Sequence, residues 1–327
     1  MSLAGGLFLS LRYIMDARAG FKLLNFDVGM AAWLFLGPRP GGEMPELPEV
    51  ETMVLGLRES ILGQRVRRVR VFCDRLMGQV PSASLRKVQG GRVIGLSRKG
   101  KFLLFHLSNG SMLVFHLRMT GKLLLVPSAR PLTKRDRLRL DFSDWDWALN
   151  FEDTRRFGSL DILHAWEPGD GLLRELGPDA LLVDLADFRE LLAGSRRPLK
   201  ALLLDQRVIA GLGNIYVDES LHRAGIHPRT PADAVTPAEA RRLHSAMRQV
   251  LRKAIVCRGS SISDYRDSHG RPGTYQKHHR VYQRRGEPCR TCGAPIEHIR
   301  VGGRGTHLCP ACQKVPAAVR ASARAKR

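Results

Sequence analysis

The string MPELPEVE at residues 44–51 sets two carboxylates beside a proline that can become chemically special. A proline inside a chain has no N–H to offer. If Met44 is the initiator and is removed, Pro45 carries a free secondary amine, which is a nucleophile. An α-amino group titrates near about 7.7–8.0, against about 10.4 for lysine, so an appreciable fraction is unprotonated at neutral pH. Glu46 and Glu49 lie next to it. A carboxyl there can shuttle protons, or it can simply compensate the dipole of a helix starting at this point. Near the other end, Cys289-x2-Cys292, sixteen residues and Cys309-x2-Cys312 have zinc-ribbon spacing. Four thiolates hold one Zn²⁺ tetrahedrally, and such a closed site is structural. His298 and His307 are nearby but are not needed to complete it.

The elements that must position these groups fall into blocks. Val50, Met53, Val54 and Leu57 repeat at helical spacing, predicting a helix from Pro45 to about Leu62, ended by Gly63. Short strands are expected at Arg65–Phe72, Arg92–Ser97, Phe102–Leu107, Met112–Leu117, Lys122–Val126, Arg137–Phe142 and Trp147–Phe151. Asn109-Gly110 marks a hairpin between two of them. Many short strands predict an antiparallel sandwich or barrel, running to about residue 170. From Leu172 the pattern is helical. Helices over 198–206 and 215–224 flank VIAGLGN (208–214). Its glycines allow close backbone approach or positive φ, and the helix start at Asn214 suits a phosphate. Thr236-Pro237-Ala238-Glu239 combines an N-cap, a first-turn proline and a capping-box glutamate. In the helix that follows, Arg241, Arg242, Arg248, Arg252 and Lys253 read mainly as a solvated face. AVRASARAKR (318–327) reads as a basic disordered tail.

Charge narrows the partner class. The net charge is +22. Residues 1–43 carry four basic and three acidic side chains, so all but one unit belongs to the rest of the chain. A polyanionic partner is expected, and nucleic acid is the commonest. No run of 18 apolar residues predicts a membrane span. Cysteines in C-x-x-C pairs favour metal over disulfides, and Cys73 and Cys257 read as plain buried thiols. Residues 1–43 lack the n-region, h-region and cleavage-site order of a signal peptide. They read as an extension upstream of the true start at Met44, with an organellar presequence as the alternative.

Taken together, MPELPEVE, HLRMTG (116–121), DTRRFG (153–158), VIAGLGN and the four cysteines resemble the formamidopyrimidine-DNA glycosylase family, over nearly all of Met44–Lys314. The resemblance implies an α+β multidomain chain: a β-sandwich catalytic domain (45–171), a helical helix–two-turn–helix domain (172–275), a zinc-ribbon finger (280–314) and a basic tail (315–327). It implies a bifunctional DNA glycosylase/AP lyase of base-excision repair, acting as a monomer on double-stranded DNA that carries 8-oxoguanine or formamidopyrimidines. Pro45 is then the nucleophile toward C1′, Glu46 the general acid/base and Glu49 its support. Lys101 contacts phosphate and assists β-elimination. Arg304, in the finger, grips DNA and is linked to δ-elimination. Met119, Arg155 and Phe157 fill the void left when the base is extruded; periodicity alone assigns Met119 and Phe157 to the core. Lys200 and Asn214 grip phosphates, and Arg135 does so within KRDR (134–137), where relatives often carry histidines. Thr154 replaces a more usual proline. The stretch Asp264–His279 corresponds to a loop that covers the flipped base. Leu47 favours the purine-directed branch over the related endonuclease VIII enzymes for oxidised pyrimidines, which usually carry glycine there. A non-catalytic zinc-ribbon DNA binder is the reading if residues 1–43 stay attached. A cytoplasmic, nucleoid-associated location follows from a DNA substrate.

Overall fold

The computed structural model describes residues 44–316 apart from 74, 77–79, 81, 165–172 and 263. The expectations for 1–43, and for all but the first residues of the basic tail, lie outside the described residues.

Helix α1 (Leu47–Ile61) opens with Pro48 in its first turn and with the Glu46 N–H donating to the Glu49 carboxylate at 2.9 Å. Val50, Met53, Val54, Leu57 and Ile61 form its buried stripe, as the periodicity requires. Eight strands follow: β1 (Val66–Val71), β2 (Val93–Lys99), β3 (Phe102–Leu107), β4 (Ser111–His116), β5 (Gly121–Pro127), β6 (Asp136–Phe142), β7 (Trp147–Asp153) and β8 (Ser159–His164). They make two antiparallel four-stranded sheets, ordered β1-β6-β7-β5 and β2-β3-β4-β8. Both sheets feed one core with α1, and Phe115 of β4 meets Phe151 of β7 edge-on at 5.8 Å. The architecture is a sandwich. The Asn109 side chain fixes the β3–β4 turn by accepting the Ser111 N–H at 3.2 Å. The periodicity misses β8 and the short helix α2 (Ser82–Val88). In β8 only Leu160 is buried, and α2 buries only Leu85 and Val88, so neither carries a legible stripe.

The helical lobe holds α3 (Leu185–Ala193), α4 (Leu199–Leu203), α5 (Asn214–Ala224) and α6 (Pro237–Val256). Helix α3 is also absent from the sequence reading, because it buries only Phe188 and Leu192. Helix α4 stops well short of the expected residue 206. Gln206 organises a turn there instead: its amide donates to Leu204 O and Leu212 O at 3.1 and 2.8 Å and accepts the Gly211 N–H at 2.9 Å. Leu47 sits on α1 yet packs into the helical core, whereas Val50 and Met53 pack into the sandwich. One helix therefore serves both cores.

The third substructure is a ribbon, β9 (Glu297–Val301) paired antiparallel with β10 (Arg304–Leu308). Its buried core is Val281, Cys289, Ile296 and Cys309. So few apolar residues cannot hold a fold of this size without a staple.

The α6 cap forms as read: Thr236 N donates to Glu239 Oε2 at 2.9 Å, and Glu239 N donates to Thr236 Oγ1 at 3.3 Å. Thr236→Ala should cost about 1 kcal/mol. It should appear as a lower urea midpoint with unchanged native helix content; an unchanged midpoint would show that tertiary packing holds the end of α6 without its cap.

Candidate active site

The N-terminal string and the glycine-rich turn were separate observations in the sequence, and the fold brings them together. Glu46 is almost fully buried. Its carboxylate lies at the N-terminus of α5, accepting the Ile215 N–H at 3.0 Å and the Tyr216 N–H at 3.4 Å. These orphan amides and the positive end of the helix dipole suit a carboxylate. The phosphate expected at this helix start is therefore replaced, at residues 215 and 216, by the protein's own glutamate. The approach depends on missing side chains. A Cβ at Gly213 would collide with the Glu46 carboxylate, and one at Gly211 (φ +106°) would come within 2.6 Å of Leu47. The Leu47 N–H also donates to Gly211 O at 3.0 Å.

Glu49 lies deeper. Its carboxylate accepts from Tyr216 Oη at 2.5 Å, Ser260 N at 2.7 Å and Glu46 N at 2.9 Å. Burial pushes its pKa up, and the donors only partly oppose this. Met44, Pro45, Glu49, Met119, Ser260 and Tyr265 share one small pocket. A larger cleft, lined by Arg67, Arg68 and Arg70 of β1, contains none of these groups.

Lys101, in the β2–β3 turn, is also buried. Desolvation lowers its pKa; Glu46 opposes the shift and the charge of Arg304 reinforces it. Arg304 starts β10. Burial lowers its guanidinium below the ordinary value, while Glu46 pulls it back up. One carboxylate and two cations from three distant segments thus interact. His116, which the sequence reading passed over, sits beside them. Its Nδ1 accepts the Arg118 N–H at 3.0 Å, and burial with the neighbouring Arg118 and Lys101 charges drives its pKa well down. Only the fold distinguishes this histidine from a core one.

Met119, Arg155 and Phe157 come from two neighbouring turns. Arg155 Nη1 lies 3.7 Å from Met119 Sδ. Phe157 is 39% exposed, not a core residue as periodicity alone assigns it. The DTRRFG turn is held from beneath by Asp153, whose carboxylate accepts from Thr120 Oγ1, from Arg155 N at 3.2 Å and from Gly158 N at 2.7 Å. That scaffold does not use residue 154, where the usual proline is missing. Arg135 is exposed beside it. The Asp264–His279 stretch is fastened down around 267–271: the Leu125 N–H donates to Ser268 O at 2.9 Å, and the Asp267 carboxylate takes the His269 and Arg271 amides at 3.0 and 2.9 Å.

Lys200 departs from its expected role as a phosphate grip. Its side chain has no exposed surface. The ammonium is enclosed by Asp218 Oδ1 at 2.7 Å and Gly305 O at 2.9 Å. A buried cation held by these two partners ties α4, α5 and the ribbon together. Asn214 is half-buried at the start of α5; its Nδ2 lies 3.4 Å from Tyr282 Oη, and its Oδ1 is buried with no partner among the described residues.

The four cysteine sulfurs lie within 4.8 Å of one another. Cys289–Cys312, Cys292–Cys309 and Cys292–Cys312 are 3.9, 3.4 and 3.5 Å apart. A tetrahedral Zn–S₄ centre with bonds of about 2.3 Å needs sulfurs about 3.8 Å apart, so the set fits one structural zinc. Thr291 N and Cys312 N point at Cys289 and Cys309 Sγ, both at 3.4 Å, and would support the thiolates. His222 of α5 adds Nε2 at 3.5 Å from Cys289 Sγ.

A sandwich, a helical lobe with a glycine-rich turn and a Cys₄ ribbon define a class of three-part, strongly basic zinc-ribbon protein, and the comparisons narrow it. Residues 44–160 match the formamidopyrimidine-DNA glycosylase N-terminal domain, 176–266 its H2TH domain, and 286–315 the zinc finger found in FPG and IleRS. The chain is 46% identical over 264 residues to the formamidopyrimidine-DNA glycosylase of Moorella thermoacetica, covering 79% of this chain and 95% of that one. It resembles the crystal structure of the MutM (Fpg) protein from Thermus thermophilus at 44% identity and TM-score 0.74, covering 83% of this chain and all of that one. The Lactococcus lactis Fpg in complex with abasic-site DNA matches at 37% identity and TM-score 0.75, with the same coverage. The chain belongs to the formamidopyrimidine-DNA glycosylase family.

The geometry can be tested at Glu49 and at the zinc. A carboxyl whose folded pKa is raised contributes stability below its unfolded pKa and loses it as pH rises through the folded pKa. For Glu49 the loss begins near the ordinary value of 4.5. Denaturation midpoints of Glu49→Gln relative to the parent should therefore shift in favour of the variant as pH rises above about 4.5; a constant difference would show that the Glu49 pKa is not raised. Chelating the zinc should release one equivalent of metal, melt the ribbon and weaken duplex binding at least tenfold, while the β-sheet circular dichroism signal persists. Retained binding after complete metal release would count against a structural zinc.

Proposed function

We propose that this chain is a bifunctional DNA glycosylase/AP lyase that removes oxidised purines, 8-oxoguanine and formamidopyrimidines, from duplex DNA through a Schiff base on Pro45. The observation that carries the reading is the junction at α5. The Glu46 carboxylate, adjacent in sequence to Pro45, is held by backbone amides and electrostatically coupled to Lys101 and Arg304.

The chemistry requires Pro45 to be a chain terminus. Joined to Met44, its nitrogen is a tertiary amide and cannot attack; freed, it is an amine that titrates near neutrality. Base extrusion presents C1′ to that nitrogen. The C1′–N bond forms as the bond to the base breaks, and a proton reaches the departing base or the opening sugar ring. Glu46 is the group positioned to move that proton, with Glu49 locking the turn that holds it. The resulting iminium acidifies C2′. Loss of a C2′ proton expels the 3′ phosphate, and a second elimination expels the 5′ phosphate, leaving a one-nucleotide gap with phosphate ends. A buried Lys101 with a lowered pKa is suited to contacting phosphate and to proton transfer during these eliminations. Arg304 supplies a fixed positive charge from the finger. Met119, Arg155 and Phe157, presented on two braced turns, fill the space the base vacates. Arg135 and Asn214 meet backbone phosphates. The ribbon zinc does no chemistry.

The +22 net charge supplies the sequence-independent part of DNA affinity, which falls steeply with salt. We place the protein in the cytoplasm with the nucleoid, as a monomer; no helix among the described residues is long and apolar enough to cross a membrane.

Borohydride trapping on an 8-oxoguanine duplex tests the reading. Protein translated from Met44, with that methionine removed, should form a covalent adduct that maps to Pro45 by mass spectrometry, and the full 327-residue chain, if its first 43 residues stay attached, should form none. A folded, zinc-loaded protein that begins at Pro45 and forms no adduct would move the assignment to a DNA binder without lyase chemistry.

A further inference from the structure

The Lys200–Asp218 pair is a buried ion pair outside the apolar cores of both lobes. Both side chains have no exposed surface. Asp218 Oδ1 accepts from Lys200 Nζ at 2.7 Å, and Oδ2 accepts from the His307 N–H at 2.8 Å. Lys200 Nζ also donates to Gly305 O at 2.9 Å. The pair therefore grips the outer edge of β10 at two backbone points, immediately after Arg304. Two further contacts seat the same hairpin. Arg229 Nη2 donates to Arg300 O at 3.3 Å, and a Cβ at Gly302 would come within 2.9 Å of Ala201 Cβ, so the hairpin turn packs directly on α4.

Burying two charges costs several kcal/mol per ion before pairing, and apolar residues of similar size often serve stability as well or better. Ionic groups in such a place are better explained by what they orient. Here the direction is defined: a carboxylate that accepts a backbone N–H and an ammonium that donates to a backbone C=O fix both the height and the register of one strand. An apolar plug could set the height but not the register. The strand so fixed begins with Arg304, whose charge reaches Glu46 and Lys101.

We propose that Asp218 and Lys200 are positioning residues that hold the finger hairpin in the register placing Arg304 over the reaction site. This rests on the reading of the site given above and assigns the pair no contact with DNA. Base displacement at Pro45 needs the sandwich and α5. The later elimination, which depends on a cation delivered by the finger, is the step that needs the pair.

Asp218→Asn keeps the size and one acceptor but removes the charge and turns a donor toward either Lys200 or His307. With one zinc retained, its borohydride trapping at Pro45 should stay within about threefold of the parent. The ratio of twofold-eliminated to singly eliminated product should fall at least tenfold. Affinity for a duplex with an abasic-site analogue should drop, and amide exchange at 304–308 should quicken. Lys200→Met combined with Asp218→Leu removes both charges from the buried site and should show the same fall in product ratio. Unchanged product ratio and exchange in both variants would overturn the proposal, as would loss of fold or zinc in both, which would make the pair a plain structural tie. The parent run alongside separates the two claims. If it gives no Pro45 adduct, the catalytic reading fails on its own, and the positioning role is then decided by duplex affinity and amide exchange, which need no chemistry.

Discussion

Glu46, Glu49 and the ribbon are all referred to one short helix, α5. Its first amides hold the Glu46 carboxylate. Its Tyr216 hydroxyl holds Glu49. Asp218 holds the ribbon strand through His307 N, and Glu219 accepts the Arg280, Val281 and Tyr282 amides at 2.9–3.0 Å, anchoring the segment that leads into the ribbon. Its last turn reaches Cys289 through His222. Hydrogen bonds to charged groups contribute about 1.5–3 kcal/mol each, and an orphaned buried partner costs more. The helix is therefore hard to move without releasing several costly groups together. That rigidity fixes the segment after Pro45 and the ribbon relative to each other.

Burial also sets the electrostatics. The chain carries a net charge of +22, yet Glu46, Glu49, Lys101 and His116 at the lobe junction are withdrawn from water. Desolvation raises Glu49 and lowers Lys101, Arg304 and His116. For Glu49, Lys101 and His116 both directions favour the neutral form, whereas the Arg304 guanidinium keeps its charge.

Basic residues therefore divide by depth rather than by type. Arg139 has almost no exposed surface; it donates to Asp141 at 3.1 Å and to the backbone carbonyls of Arg130 and Pro127 at 2.9 and 3.3 Å. It belongs to the sandwich, two residues from Arg137 and four from the exposed Arg135. Lys200 and Lys101 are both buried, but one is paired with Asp218 and Gly305 while the other feels the charge of Glu46.

What the sequence determined alone is local chemistry. The four cysteines select their metal by count and spacing. Thr236 and Glu239 start a helix, and Asn109-Gly110 closes a hairpin. Each of these rests on atoms a few residues apart, or on a ligand set with one closed geometry. Helices with a strong stripe, α1 and α6, were legible for the same reason. α3 and β8, with few buried residues, were not. Tertiary structure decided the rest. Glu46 and the amides of residues 215 and 216 are some 170 positions apart. The glycines at 211 and 213 therefore look like generic flexibility until the carboxylate and Leu47 occupy the space their missing side chains leave. Lys200 reads as one more basic residue for phosphate until the fold encloses it. Side-chain depth depends on packing between elements distant in the chain, and no local pattern encodes it.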